Sequence, residues 1–112
     1  MKGILVKTTG EIREAEFEGM IGQAIGELIG EGIASERPRG LDNPYTMFRV
    51  FFSEGSFNPI AGCLMGKPIR GDVVIMKEGI YGFTTGLDDH DIEELALLLD
   101  DVLQELEKKE AG

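Results

Sequence analysis

The sequence predicts an α+β fold, a two-layer sandwich in which a mostly antiparallel sheet packs against helices that include a long C-terminal amphipathic one. Short runs rich in β-branched and aromatic residues, bounded by glycine or proline, are typical of strands. Two pairs of these runs are joined by tight turns, which favours antiparallel hairpins. Leucines at helical spacing near the C-terminus indicate a helix with one apolar face. Helices between and after the strand pairs indicate the α+β class.

The N-terminal part of the chain begins with a predicted hairpin, in which Met1–Thr8 and Glu11–Phe17 flank a short turn. A helix is expected over Gly19–Ile29, because apolar residues recur there at helical spacing. Gly32–Arg37 is expected to be a short strand. The stretch 37–44 contains two prolines and a glycine and predicts an exposed loop.

Three glycines, Gly22, Gly26 and Gly30, recur every four residues along the first predicted helix. A glycine inside a helix costs about 1 kcal/mol relative to alanine, so these positions need an explanation. The simpler interpretation is a close approach of the helix to the sheet, which requires only that a side chain is missing. A glycine-lined contact with a ligand is the alternative.

The middle of the chain contains a predicted central strand followed by a short helix. Tyr45–Phe52 has large apolar side chains for both faces, which is typical of a strand covered on both sides. Asn58 before Pro59 marks a helix start, because Asn accepts a hydrogen bond from a free backbone N–H and proline has no N–H there. Gly66 suits the left-handed position that ends the helix, and Pro68 prevents its continuation.

The C-terminal third begins with Asp72–Met76, whose β-branched run predicts a buried strand. A tight turn over 77–79 leads into Ile80–Thr84, which predicts a second hairpin. After Gly86, Asp88 or Asp89 caps a final helix that runs to about residue 109. Its apolar stripe is formed by Ile92, Leu95, Leu99, Val102, Leu103 and Leu106.

Composition predicts a globular protein with one domain over residues 1–112. Hydrophobic residues make up 42% of the chain and charged residues 29%, which argues against disorder. No apolar run approaches the roughly 20 residues that span a bilayer, and the N-terminus does not resemble a signal peptide. A single cysteine, Cys63, makes no internal disulfide, so a reduced cytoplasmic compartment is expected.

The net charge of −10 is concentrated in one segment. From Asp88 onward, ten acidic residues stand against two lysines, which gives this segment a net charge of −8 and leaves −2 for the first 87 residues. Direct binding of nucleic acid is disfavoured, because phosphates require a basic stripe and the longest basic grouping is Arg37-Pro38-Arg39.

Several short motifs follow one another along the chain: Phe-Glu-Gly at 17–19, Asn-Pro-Ile-Ala at 58–61, Pro-Ile-x-Gly-Asp-Val-Val-Ile at 68–75 and Leu-Asp-Asp-x-Asp-Ile-Glu at 87–93. Together with the opening strand, this order resembles the family called domain of unknown function 3846. Members are small proteins met in phages, plasmids and the bacteria that carry them, with no assigned activity or catalytic residues. The resemblance implies a mobile-element setting and carries over no functional residue.

The first candidate site is an anion site formed by Asn58, Lys67 and Arg70. A helix N-terminus offers backbone N–H groups and the positive end of a dipole, and two cations lie in the turn that follows the helix. Together these groups suit a phosphate or a carboxylate. The alternative is that Asn58 only caps its helix and that both cations are solvated.

The second candidate site is an interaction face on the final helix. Leu97 and Leu98 widen its apolar side beyond what one packed stripe requires, so a second copy or a partner protein would cover the surplus. An ordinary solvated helix surface is the alternative. The predicted face consists of Glu93, Leu97, Asp100, Asp101 and Glu105.

His90, the only histidine, lies among Asp88, Asp89 and Asp91. Imidazole and carboxylates can share a metal ion, but capping and the helix dipole explain acids at a helix start equally well. Cys63 with His90 is the one pairing of nucleophile and base, yet a thiol among apolar neighbours usually behaves as a small hydrophobe. We therefore assign no catalytic residue, metal site or cofactor.

These observations favour a non-enzymatic binding or regulatory protein that acts through protein–protein contacts of its acidic helix. The expected partner is a host protein or a second copy of the chain. The alternative is a small-ligand binder that sequesters an anionic metabolite or nucleotide at the predicted anion site, and an enzyme is the least favoured class. Contact with a membrane or directly with nucleic acid is not expected.

Overall fold

A computed structural model describes residues 1–41, 44–79 and 83–111. Within these ranges the chain forms one six-stranded antiparallel sheet and three helices. The strands are β1 Lys2–Val6, β2 Ile12–Glu16, β3 Ile33–Glu36, β4 Tyr45–Val50, β5 Val73–Glu78 and β6 Thr84–Thr85. The helices are α1 Ile21–Ile29, α2 Pro59–Met65 and α3 Asp89–Ala111. The predicted α+β class, antiparallel sheet and long C-terminal helix are confirmed.

Strand β5 lies at the centre of the sheet, whose order is β2-β1-β5-β4-β3. Ile75 of β5 is opposite Ile4 of β1 on one side and Met47 of β4 on the other, and all three side chains are buried. The predicted N-terminal hairpin is formed by β1 and β2. The second hairpin pairs β5 with β6, and the first part of its predicted strand, 80–82, lies outside the described residues.

The two faces of the sheet carry different helices, because successive side chains of a strand point to opposite sides. Val73 and Ile75 lie in a core shared with α2 and α3. Val74 and Met76 lie in a second core, on the opposite face, that is closed by Ile25 of α1. The sheet therefore forms two layers with α2 and α3, which enclose the larger core, and α1 covers part of the opposite face of the sheet.

The expectation that glycines bring α1 close to the sheet is wrong for two of the three positions. A Cβ atom added at Gly22 or Gly26 would meet no atom of the described residues within 4 Å. Gly30 differs, since its φ is 122° and an added Cβ would lie 3.2 Å from Val50. The apolar stripe, with Ile25 at its centre, is what packs α1 onto the sheet.

Helix α3 begins with a reciprocal cap. The Asp88 carboxylate accepts a hydrogen bond from the backbone N–H of Asp91 at 2.8 Å, and the Asp91 carboxylate accepts one from the N–H of Asp88 at 3.1 Å, which is a capping-box arrangement. Further along α3, Leu95 and Leu99 are fully buried. Among the described residues, no helix has the length and apolar character required to cross a bilayer.

Candidate functional site

Asn58 lies inside the protein, where its side chain is fully used. Its Oδ1 accepts a hydrogen bond from the N–H of Ala61 at 3.1 Å, which caps α2 as predicted. Its Nδ2 donates to the carbonyl oxygens of Val6 and Gly71, each at 3.0 Å. With 1% of the residue exposed, Asn58 joins β1, α2 and the turn before β5.

The two predicted cations are engaged at separate places. Lys67 donates to Glu36 at 2.7 Å, and Arg49 also donates to the same carboxylate. The hydrogen bond from Lys67, followed by that from Arg49, holds the pKa of Glu36 below its ordinary value. Arg70 instead lies over the ring of Phe57. The structure therefore places Asn58, Lys67 and Arg70 in three different environments.

Arg70 belongs to a cluster of mostly exposed side chains that we call the aromatic–arginine patch. It consists of Arg49, Phe51, Phe52, Phe57 and Arg70. The exposed fractions of the three phenylalanines are 52%, 87% and 55% in chain order. Together with Val50, Ser53 and Pro68, these residues line a shallow cavity of about 280 Å³.

Contacts within the patch hold its rings in place. The rings of Phe51 and Phe52 meet edge to face with centroids 4.6 Å apart, a favoured aromatic geometry. The guanidinium of Arg70 lies 4.1 Å from the centroid of Phe57, and that of Arg49 lies 5.4 Å from the centroid of Phe51. The patch therefore offers apolar surface with cationic groups beside it.

The tertiary structure, more than the local sequence, creates this patch. Phe51 and Phe52 are predicted as strand residues, but β4 ends at Val50, opposite Ile33 at the start of β3. The chain then turns, and a backbone bridge between Phe57 and Arg70 closes the loop. Three phenylalanines within seven positions, next to Glu54-Gly55, are the sequence signal from which the patch could have been suspected.

The predicted interaction face of α3 is divided between two sides of the helix. Leu97 is 71% exposed and lies opposite the buried Leu95 and Leu99. Glu93 and Asp100 are exposed four positions before it and three positions after it, so both flank Leu97 on the surface. We call this side the outer α3 face. The remaining two residues of the predicted face, Asp101 and Glu105, border a groove on the adjacent side of the helix. Asp101, four positions after Leu97, lies at the boundary between the outer α3 face and this groove.

This second surface, the α2–α3 groove, has a volume of about 350 Å³. Half-buried apolar side chains of α3 line it, and Cys63 of α2 faces them. The charged residues at its border are the exposed Asp101, Glu105 and Lys109, so two carboxylates stand there against one ammonium. The apolar lining is formed by Leu98, Val102 and Leu106. An apolar depression with carboxylates beside it suits a partner that is both apolar and basic.

A buried ionic cluster fixes the start of α3 against the sheet. The carboxylate of Asp91 accepts hydrogen bonds from Lys77 at 3.1 Å and from the Tyr45 hydroxyl at 3.4 Å. Burial by itself would raise the pKa of Asp91, but the N–H of Asp88 and the ammonium of Lys77 outweigh it, so the pKa lies below its ordinary value. Burial, followed by the charge of Asp91, raises the pKa of Tyr45 to about 12.

The remaining reactive side chains lie apart from this cluster. His90 is exposed and its Nε2 lies 3.7 Å from the Glu94 carboxylate, while Cys63 borders the α2–α3 groove. Asp91 is engaged in the cap and with Lys77. The described residues contain no group of three or more His, Cys, Asp or Glu side chains that could hold a metal ion.

Comparison with known proteins finds no matching family model, no matching curated protein and no matching solved structure. The resemblance to the family called domain of unknown function 3846 therefore stays a prediction.

Proposed function

We propose that this chain is a non-enzymatic binding protein that captures a basic, amphipathic segment of a partner protein with its acidic C-terminal helix. The observation that carries the proposal is the α2–α3 groove, where apolar side chains lie beside the carboxylates of Asp101 and Glu105. The partner's apolar side chains would enter the groove and its lysines or arginines would meet the carboxylates. A cytoplasmic protein of a phage or plasmid, acting on a host partner, fits this role.

Charge supports the choice of partner. The segment from Asp88 onward carries a net charge of −8, and a surface of one sign accelerates the approach of a partner of the opposite sign. An apolar groove supplies the affinity that exposed charges alone do not provide, since exposed ion pairs contribute little. Recognition would resemble the laying of an amphipathic helix into an apolar groove.

The test uses a fluorescein-labelled synthetic helix built from leucine and lysine at amphipathic spacing, with a second peptide in which glutamate replaces each lysine. We expect the basic peptide to bind and the acidic one not to bind, as measured by fluorescence anisotropy. The double variant Asp101→Lys/Glu105→Lys should weaken binding about tenfold or more, because charges that repel the partner replace charges that attract it.

The matched control is Glu93→Lys/Asp100→Lys, which makes the same charge change on the same helix but on the outer α3 face. Attachment of a bulky maleimide to Cys63, the one cysteine of the chain, should also block the groove. An equal loss of affinity in both double variants would show attraction by net charge only, and failure of the basic peptide to bind would refute the proposal.

The alternative of a small anionic ligand at Asn58, Lys67 and Arg70 stays a prediction. Its weakness is that Lys67 would have to leave Glu36 and that the polar atoms of Asn58 are already bonded. A nucleotide-dependent rise in melting temperature that Arg70→Ala abolishes would favour it over the groove.

A further inference from the structure

The aromatic–arginine patch is exposed in a way that is uncommon for the surface of a single chain. Phe51, Phe52 and Phe57 all lie more than half exposed around one cavity. A contiguous apolar patch marks a contact surface, and phenylalanine and arginine are both enriched where proteins meet. Nothing in the proposed function uses these residues.

The charges around the patch favour a protein over a nucleic acid. Arg49 and Lys67 both pair with Glu36, which leaves Arg70 as the patch cation with an exposed side chain. A phosphate backbone requires several cations in a row, and the chain as a whole carries −10. One exposed guanidinium among phenylalanines suits an apolar side chain that has a carboxylate close to it.

The chain itself carries a surface of this chemistry. Leu97 is 71% exposed at the centre of the outer α3 face, with Glu93, Asp100 and Asp101 within one helical turn of it. These residues provide one apolar side chain surrounded by carboxylates, which complements a phenylalanine-lined cavity beside an arginine.

We propose that a second copy of this chain is the partner of the patch. The outer α3 face of one copy docks on the aromatic–arginine patch of the other, so that Leu97 enters the cavity and the carboxylates that surround it pair with Arg70. If both copies make this contact about a two-fold axis, the dimer is closed and each copy contributes one patch and one helix.

The experiment measures the mass of the protein by sedimentation velocity at rising concentration, up to about 1 mM, the weak end of specific association. The patch variant is Phe52→Ser/Arg70→Glu, and the face variant is Leu97→Ser/Asp100→Lys. All four side chains are exposed, so we expect both variants to fold. The wild type should dimerise, and each variant alone should associate about 30-fold more weakly, as hot-spot residues do.

An equimolar mixture of the two variants gives the decisive result. The face variant keeps an intact patch and the patch variant keeps an intact helix, so the mixture should associate more tightly than either variant alone. The control Phe83→Ser/Glu18→Lys removes an exposed phenylalanine and reverses an exposed acid outside both surfaces, and it should associate like the wild type.

Several results would overturn the proposal. The proposal fails if the wild type stays monomeric over the whole concentration range. It also fails if the mixture of the two variants associates no more tightly than each variant alone. Loss of association in the patch variant alone would indicate that two patches meet each other. A monomer that binds a labelled oligothymidylate through Phe52 and Arg70 would show that the patch serves nucleic acid.

Discussion

Asn58 is a buried amide that ties together three parts of the chain. Replacement by alanine removes the cap of α2 and leaves the carbonyl oxygens of Val6 and Gly71 without their donor. A lost cap costs about 1 kcal/mol and each buried polar group left unpaired about 1–3 kcal/mol. We therefore expect Asn58→Ala to lower the free energy of unfolding by about 3 kcal/mol, measured by urea denaturation.

The control is Ser56→Ala, an exposed position two residues earlier, which should change stability little. Asn58→Asp separates the two roles of the side chain. It retains the acceptor that caps α2, but it removes both hydrogens of Nδ2 and places a charge beside two carbonyl oxygens. If Asn58→Asp were as stable as the wild type, the hydrogen bonds to Val6 and Gly71 would make no contribution to the free energy of unfolding.

The stability of the protein should depend on pH through Asp91. Its pKa is lower in the folded state than the ordinary value of 3.8, so the folded state favours the charged form. The resulting stabilisation is complete above the unfolded pKa and is lost as the pH falls through the folded pKa. In urea denaturation, the stability difference between the wild type and Asp91→Asn should narrow as the pH is lowered below 4.

Asp100→Asn, an exposed control, should show no such narrowing, and a pH-independent difference for Asp91→Asn would contradict this interpretation.

At the scale of the elements, α1 carries glycines that its packing does not require. Alanine at Gly22 or Gly26 would meet no described atom within 4 Å, and it would restrict the unfolded chain as well as favour the helix. We expect each substitution to raise the free energy of unfolding by about 0.5–1 kcal/mol in urea denaturation. Gly30→Ala is the contrasting change and should destabilise the fold, because φ there is 122°. Destabilisation by Gly22→Ala would contradict this interpretation, because it would mean that the packing of α1 does require a glycine there.

In helix α3, leucines are buried or exposed according to their position on the helix. Leu95 and Leu99 are almost completely buried, whereas Leu97 is 71% exposed. The 3.6-residue period already separates these positions in the sequence. What the period does not show is that Asp101 and Glu105 border a groove while Glu93 and Asp100 lie on the outer face, because the position of α2 decides that.

At the scale of the whole molecule, the concentration of negative charge on one helix should make stability depend on salt. Raising the salt from about 10 mM to about 150 mM shortens the screening length from about 30 Å to about 8 Å and weakens the repulsion among the acids. We expect the melting temperature to rise by roughly 2–5 °C, the shift that about 0.5–1 kcal/mol produces in a domain of this size. Circular dichroism would measure it.

The charge variant Asp100→Lys/Asp101→Lys provides the control for the salt effect. Each replacement adds two charge units, so the net charge changes from −10 to −6. Its melting temperature should be higher at low salt and should respond less to added salt. An unchanged salt response would show that the repulsion does not arise on α3.

The sequence by itself determined the elements whose causes are local. The cap at Asn58, the left-handed glycine at Gly66 and the leucine period of α3 all act within a few residues, so neighbouring positions suffice to predict them. The concentration of net negative charge in the segment from Asp88 onward is equally visible in the sequence.

Only the tertiary structure decided which surfaces these elements form. Lys67 meets Glu36 across 31 positions, Asn58 meets Val6 across 52, and the patch exists because β3 begins opposite Val50 and leaves the following phenylalanines outside the sheet. Such contacts depend on strand order and register, which form between segments far apart in the chain and which hydrophobic periodicity alone does not specify. For that reason the candidate anion residues could be named from the sequence, whereas their separation, the α2–α3 groove and the aromatic–arginine patch could not.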